Sequence, residues 1–288
     1  MLTITTPSEM RAWSAQQHRD GRTIGFVPTM GALHTGHLAL VGNAAERCSD
    51  VVVSIFVNPL QFNEDADFNS YPRPIDDDVA ACQQAGVAVV YAPTAAAMYP
   101  DRYQTRVVPG ALADLMEGPM RPGHFEGVAT VVAKLFGAVR PNVAIFGQKD
   151  FQQLAIIAQM ASDLDTGIEI IGHPIVRDPD GLAQSSRNVR LDAHQRAAAI
   201  CIPRSLDAAV AAATAPNASL ADVLQAALSV VESEPHAHHE YTTIFDAVTL
   251  TEVDDFGAAE RSAGAVRIAT AVWFGDVRLI DNRDLFGN

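Results

Sequence analysis

The sequence predicts an α/β fold: a Rossmann-like doubly wound parallel sheet followed by a smaller C-terminal α+β domain. Three observations predict it. The first two-thirds of the chain alternate short β-branched runs with helical stretches. Continuous apolar strands of that kind belong to parallel sheets covered by helices on both faces. Near Val176 the texture changes to Ala-rich helices followed by strands. The length, 288 residues, suits one large and one small domain.

In order, Thr23–Val27 reads as a strand and Gly36–Arg47 as a helix. Asp50–Val57, Val87–Tyr91 and Val143–Phe146 are continuous apolar strands. Asp76–Ala85, Gly127–Ala138 and Phe151–Ser162 are helical patterns between them. Gly167–Val176 is the last strand of the large domain, and Arg177–Arg190, polar and carrying Pro179 and Gly181, is a loop. Asp192–Thr214 and Ser219–Glu234 follow as helices, broken by Ala215-Pro216-Asn217. Tyr241–Val248, Val266–Trp273 and Val277–Ile280 are strand-like. The domains expected are 1–175 and 176–288.

The net charge is −14 and the only lysines are Lys134 and Lys149. A general nucleic-acid binder needs a basic face, so a polyanion partner is disfavoured. Cys48, Cys82 and Cys201 are widely spaced without a CxxC pair, which fits buried thiols in a reducing compartment. No signal peptide is visible at the N-terminus, and no apolar run is long enough for a membrane span. A cytoplasmic protein is expected.

The turn after the first strand reads Pro28-Thr29-Met30-Gly31-Ala32-Leu33-His34-Thr35-Gly36-His37-Leu38. In a doubly wound sheet that turn faces the crevice at the carboxyl ends of the strands. A helix N-terminus there offers unpaired N–H groups and positive dipole potential to a phosphate. Thr35 is a candidate N-cap. His34 and His37, three apart, can point the same way and donate to phosphate oxygens. Gly31 and Gly36 let the backbone approach a ligand closely. Two surface histidines at a helix start would look the same locally; the flanking strand, helix and glycines favour the anion site.

Lys149, between Gly147 and Asp150 at a strand end, is placed to meet phosphate oxygens rather than to lie on an ordinary solvated surface. Ser185-Ser186-Arg187-Asn188 supplies two hydroxyls and a guanidinium, either as an anion site or as a solvated turn. Gln61 and Gln153 are neutral amides able to bind hydroxyls and a carboxylate, or surface residues. Asp76-Asp77-Asp78 opens a helix and suits its macrodipole. His236-Ala237-His238-His239-Glu240 lacks a partner cluster, so a solvated connector is favoured over a metal site. The sequence holds no GxxxxGK[ST] loop.

PTMGALHxGH resembles the signature of the pantoate–β-alanine ligases, within the HIGH-type nucleotidylyltransferases, whose fold is related to class I aminoacyl-tRNA synthetases. The resemblance continues through Phe56-Val57-Asn58-Pro59-Leu60-Gln61-Phe62, Tyr71-Pro72-Arg73, Arg121-Pro122-Gly123-His124-Phe125-Glu126-Gly127-Val128, Phe146-Gly147-Gln148-Lys149-Asp150 and Ser185-Ser186-Arg187-Asn188, over nearly the whole chain. It implies ATP-dependent condensation of pantoate with β-alanine to pantothenate, AMP and pyrophosphate through pantoyl adenylate. By resemblance, His34, His37, Lys149 and Arg187 are catalytic. Met30, Gly31, Ala32, Leu33, His34, Thr35, Gly36, His37, Gly147, Gln148, Lys149, Asp150, Val176, Gln184, Ser185, Ser186 and Arg187 bind ATP. Gln61, Gln153, Met30 and Asn58 hold pantoate, and Asp77 and Asp78 match positions proposed for Mg²⁺.

Magnesium is expected to arrive with ATP, and no tightly bound organic cofactor is expected. Loops such as 63–73 are expected to close over the adenylate, with the C-terminal domain as a lid. Gln184 replaces the Met or Leu frequent before the serines in the family. Arg121 and His124 fall either on a dimer-side wall or at the site entrance, and a homodimer is implied. The rivals are another HxGH nucleotidylyltransferase acting on a phosphate acceptor, and an inactive binding protein on the same fold. A tRNA-charging enzyme is disfavoured by the acidity and the small second domain.

Overall fold

The computed structural model describes residues 1–63, 65–256 and 262–287. The chain divides into two compact units, Met1–Gln148 with Gln152–Pro174, and Lys149–Phe151 with Ile175–Asn288.

Elements up to the end of the large sheet are β1 (Leu2–Ile4), α1 (Pro7–Arg19), β2 (Ile24–Thr29), α2 (Thr35–Ala45), β3 (Asp50–Ile55), α3 (Asp65–Ser70), α4 (Ile75–Gln84), β4 (Val89–Tyr91), α5 (Ala95–Met98), α6 (Glu117–Met120), α7 (His124–Val139), β5 (Val143–Gly147), α8 (Phe151–Asp163) and β6 (Glu169–His173). A 3₁₀ turn, Pro59–Gln61, follows β3. The six strands form one parallel sheet in the order β1-β4-β3-β2-β5-β6.

Strand residues alternate between two apolar cores. Ile24 and Phe26 of β2, Val52 of β3, and Ala144 and Phe146 of β5 pack with Met10 of α1, residues of α7, and Ile157 and Met160 of α8. Their neighbours Val27, Val51, Val53, Val143 and Ile145 pack on the other face with Leu40 and Val41 of α2 and Cys82 of α4. This is why the strands read as unbroken apolar runs: both faces are buried. Gly25 lets α2 lie close, since a Cβ there would sit 3.1 Å from the Ala44 Cβ.

The chain winds outward from β2 through β3 and β4, then returns to place β5 on the other side of β2. The switch point therefore lies between β2 and β5, the place where such sheets bind ligands. Pairing of β2 with β3 runs to Thr29 and Ile55, whereas pairing with β5 stops at Phe26 and Ala144. Pro28, two residues on, has no N–H to extend a ladder.

The second unit holds α9 (Ala193–Ala198), α10 (Cys201–Ala213), α11 (Leu220–Glu232), β7 (His238–Asp246), β8 (Val266–Phe274) and β9 (Val277–Asp284). Its strands form an antiparallel sheet, β7-β8-β9. Leu206, Ala209, Val223 and Ala227 of its helices pack with Ile244, Val266 and Ile268 of the sheet. The single helix expected over Asp192–Thr214 is two. Pro203 lacks an N–H, and its ring would meet the Ala199 carbonyl, so the helix restarts at Cys201. The chain before Thr23, left unassigned from the sequence, forms β1 and α1.

Among the described residues no helix is long and apolar enough to cross a membrane. The cysteines are unpaired, and burial pushes the Cys82 thiol up to about 11 and the Cys201 thiol to about 12, so neither is a ready nucleophile.

Candidate active site

The loop joining β2 to α2 is built around one carboxylate. Asp78, 2% exposed on α4, accepts the Ala32 N–H at 2.8 Å and the Leu33 N–H at 2.7 Å, one on each oxygen. Thr29 donates its hydroxyl to the Ser54 carbonyl at 2.7 Å and accepts the Gly31 N–H at 3.1 Å. Gly31 has φ +87°, and a Cβ there would lie 2.8 Å from Asp78 Oδ2. Only glycine fits both the backbone and the space. Ala32 is held at φ +52°, a conformation that costs an alanine energy and that the Asp78 clasp maintains.

This gives Asp78 a task the sequence did not suggest. Asp77, one residue earlier, is exposed, so the two carboxylates do not converge. Among the described residues no group of three or more His, Cys, Asp or Glu could hold a metal ion.

Helix α2 begins at Thr35, the residue expected to cap it. Its N-cap is His34, with Thr35 inside the first turn. The His34 N–H donates to His37 Nδ1 at 3.4 Å, the reciprocal half of a capping box made with histidine in place of glutamate. A backbone N–H can only donate, so Nδ1 of His37 accepts. In the neutral ring the proton is then on Nε2. The two imidazoles lie with centroids 4.1 Å apart and planes tilted by 41°. Both are half-buried, and Gly36 between them is buried.

Beside this loop lies a second cluster. Gln61, 8% exposed in the 3₁₀ turn after β3, points Nε2 at Met30 Sδ, 3.1 Å away. A thioether is a weak acceptor that a carboxylate or hydroxyl oxygen outcompetes. The Gln61 carbonyl lies 2.8 Å from Nδ1 of His124, which is buried at the start of α7. Arg121 Nη1 lies 3.1 Å from the other ring nitrogen of His124. Gly127 permits this docking, because a Cβ would sit 2.3 Å from the Leu60 carbonyl oxygen. Tyr99 donates to Asn58 in the same cluster. Nothing in the local sequence marks Tyr99; only the 3₁₀ turn and α5, folded together, bring it there.

Gln153 is half-buried on α8. Its neighbour Gln152 is an anchor, accepting the Glu117 N–H at 3.0 Å and donating to the Leu112 and Leu115 carbonyls at 2.8 and 2.6 Å. Gln148, after β5, donates to the Gly172 carbonyl at 3.3 Å. A cavity of about 510 Å³ lined by His18, Phe136, Arg140, Met160 and Ile168 lies at the amino ends of β5 and β6, away from these loops.

Within the second unit, the carbonyl of Lys149 accepts Asn282 Nδ2 at 2.9 Å. Asn282 Oδ1 accepts Arg267 Nη2 at 2.7 Å, and the buried guanidinium stacks 4.4 Å above the Phe151 ring. The Lys149 backbone is thereby tied to β8 and β9.

The segment expected as a loop over Arg177–Arg190 is more ordered than that. Arg177 bridges Ala183 in antiparallel fashion around Gly181, whose φ is +94°. A 3₁₀ turn, Ser186–Arg190, follows, capped by Ser185 Oγ accepting the Arg187 N–H at 3.3 Å. Arg177 makes two bonds to Asp281, at 2.6 and 3.0 Å. Gln184 donates its amide to Asp178 at 3.1 Å and its N–H to the Val176 carbonyl at 3.0 Å. A side chain that departs from the family pattern thus has a polar partner of its own. Asp178 and Asp180 also receive Arg196, whose hydrogen bond holds the Asp180 carboxyl below its ordinary range.

Elsewhere, Glu240 of the His-rich segment accepts Trp273 Nε1 at 2.9 Å and pairs with Arg278, and His239 meets Thr242 at 2.9 Å. Of the segment 63–73, Glu64 lies outside the described residues.

The chain matches the family model described as pantoate-beta-alanine ligase over residues 2–284. It is 48% identical over 282 residues to a pantothenate synthetase of Heliobacterium modesticaldum, with 98% of each chain covered. A crystal structure of pantothenate synthetase from Thermus thermophilus superposes with a TM-score of 0.92 at 43% identity, covering 99% of this chain and 100% of that one. A pantoate–β-alanine ligase from Francisella tularensis, solved with β-γ ATP and β-alanine, superposes with a TM-score of 0.81 at 32% identity, covering 100% of this chain and 99% of that one. With the same order of blocks along the sequence and the same sheet beneath them, the chain belongs to the pantoate–β-alanine ligase family and is a ligase.

Proposed function

We propose that this chain condenses pantoate with β-alanine, using Mg·ATP, in two steps at the loops just described. The pantoate carboxylate attacks the α-phosphorus of ATP, and pyrophosphate leaves. The amine of β-alanine then attacks the carbonyl carbon of pantoyl adenylate, and AMP leaves as pantothenate forms.

One observation carries this reading. The histidine-capped N-terminus of α2 stands next to the cluster in which the buried, neutral Gln61 amide faces Met30. Gln61 turns its N–H₂ toward Met30, so a carboxylate bound there meets a neutral donor and an apolar wall. A neutral donor holds the carboxylate while leaving its nucleophilicity intact, whereas a phosphate acceptor would call for arginine or lysine. In this reading Gln153, half-buried on α8, is the second amide to meet pantoate, and Met30 the apolar side.

On the ATP side, the amides and imidazoles around Met30–His37 take the phosphates. His37 acts through its Nε2–H, because Nδ1 is committed to the His34 amide. Lys149 and Arg187 add positive charge as the bond to pyrophosphate breaks. Gly147, Gln148 and Asp150 hold the ribose side, Val176 the base through its backbone, and Gln184, Ser185 and Ser186 the phosphate side. Positioning and electrostatics supply the rate, since the first step needs little proton transfer. Magnesium comes with ATP and is held mainly by the phosphates; Asp78 is already spent on the loop. The working protein is a cytoplasmic homodimer in this reading.

The test is exchange of labelled pyrophosphate into ATP without β-alanine. Exchange that requires pantoate supports the adenylate. Exchange that requires β-alanine, or is indifferent to pantoate, contradicts it.

A further inference from the structure

Asn58 has four hydrogen-bonding positions: two lone pairs on Oδ1 and two protons on Nδ2. All four are taken within the chain. Oδ1 accepts the Tyr99 hydroxyl at 2.7 Å and the Leu60 N–H at 3.3 Å. Nδ2 donates to the Gly127 carbonyl at 3.1 Å and to Gln61 Oε1 at 3.1 Å. The residue is 1% exposed. A side chain so buried and so fully engaged has no group left for a substrate.

The orientation of this amide is determined by its surroundings. The Leu60 N–H can only donate and the Gly127 carbonyl can only accept, so Oδ1 must face the first and Nδ2 the second. The consequence passes to Gln61. With an N–H donor from Asn58 on one side, Gln61 must present its oxygen there and its nitrogen on the other side, toward Met30. A glutamine amide is nearly symmetric in shape and opposite in polarity at its two ends. Turned over, it would set its oxygen against a bound carboxylate.

We propose that Tyr99 and Asn58 are positioning residues that set the polarity of the Gln61 amide, so that Gln61 offers its N–H groups and not its oxygen to the acid substrate. Asn58, expected from the sequence to touch pantoate, acts on pantoate only through Gln61. Tyr99 closes the relay: its hydroxyl takes the second lone pair of Oδ1. Its ring is held by Phe56 at 6.2 Å and by Lys134, whose Nζ lies 5.8 Å from the ring centroid. Burial pushes the phenol up, so the hydroxyl keeps its proton and remains a donor at any working pH. The inference rests on the assignment of Gln61 to pantoate.

The experiment is a double-mutant cycle of Tyr99→Phe and Gln61→Leu, read as KM for pantoate, KM for ATP and kcat. Tyr99→Phe is expected to raise the pantoate KM about fivefold, the worth of one hydrogen bond, with the ATP KM within twofold. Gln61→Leu is expected to raise it by more. In the Gln61→Leu background, Tyr99→Phe is expected to add less than twofold, because the group it orients is gone. A merely structural Tyr99 would shift the pantoate KM equally in both backgrounds, and that result overturns the relay, as does an unchanged pantoate KM in Tyr99→Phe alone or an equal rise in the ATP KM. An unchanged pantoate KM in Gln61→Leu alone overturns instead the assignment of Gln61 on which the relay stands.

Discussion

Single residues at this site act mostly by holding backbone. Asp78 clasps the Ala32 and Leu33 amides through both oxygens. Asp78→Ala leaves two buried donors without their acceptor, at about 2–4 kcal/mol. Thermal denaturation should show a clear fall in Tm, and the ATP KM should rise at least tenfold; an unchanged ATP KM would separate this loop from ATP. His37→Ala and Lys149→Ala, by contrast, should lower the rate of pyrophosphate release by orders of magnitude while the circular-dichroism melt stays near that of the parent. That Met30, Gln61 and the histidine pair belong to two adjoining turns was legible in the sequence, because the order of strand, turn and helix puts them there; the contact of Gln61 with Met30 was not. Asp78 and Asn58 were visible as residues, but their hydrogen-bond partners within the chain were not. Their partners, Ala32, Leu33 and Tyr99, lie tens of residues away, and only the fold brings them into hydrogen-bonding distance.

At the level of elements, close approach between helix α7 and the 3₁₀ turn is what places Gln61. Gly127→Ala would drive a methyl into the Leu60 carbonyl, 2.3 Å away. Helix α7 or the 3₁₀ turn must shift, so the pantoate KM should rise at least tenfold and stability fall by about 1–3 kcal/mol in urea titration. The carboxyl end of β6 carries a pH dependence. Burial holds His173 below the ordinary histidine range, and Asn43 lies 3.3 Å from its Nδ1. The unfolded chain binds this proton more readily, so the contribution is full above about pH 6.5 and is lost as pH falls through the folded value. His173→Asn should flatten the stability profile below pH 6.5; an unchanged slope would exonerate His173. The long strands were legible because two-sided burial writes a continuous apolar run. The elements β1, α5 and α6 were not, since three or four residues carry no period. The break between α9 and α10 was written in Pro203 and masked by the alanines around it.

Across the whole molecule, strand order is what turns scattered motifs into one chemistry. The sheet order β1-β4-β3-β2-β5-β6 sets the β2 and β5 turns on either side of the switch point. The sequence showed parallel strands and helices but not which strand neighbours which, because parallel pairing joins segments far apart in the chain and leaves no local mark. A net charge of −14 is compatible with binding one nucleotide, because a helix N-terminus can hold phosphate through its own N–H groups and dipole. The most direct test is release of AMP from ATP by the purified chain, with pantoate and β-alanine supplied together, singly, and replaced by other acids and amines. One AMP per pantothenate formed, only when both substrates are present, is the predicted result. Pyrophosphate release with a dinucleotide product and no AMP, or ATP binding without turnover, would contradict it.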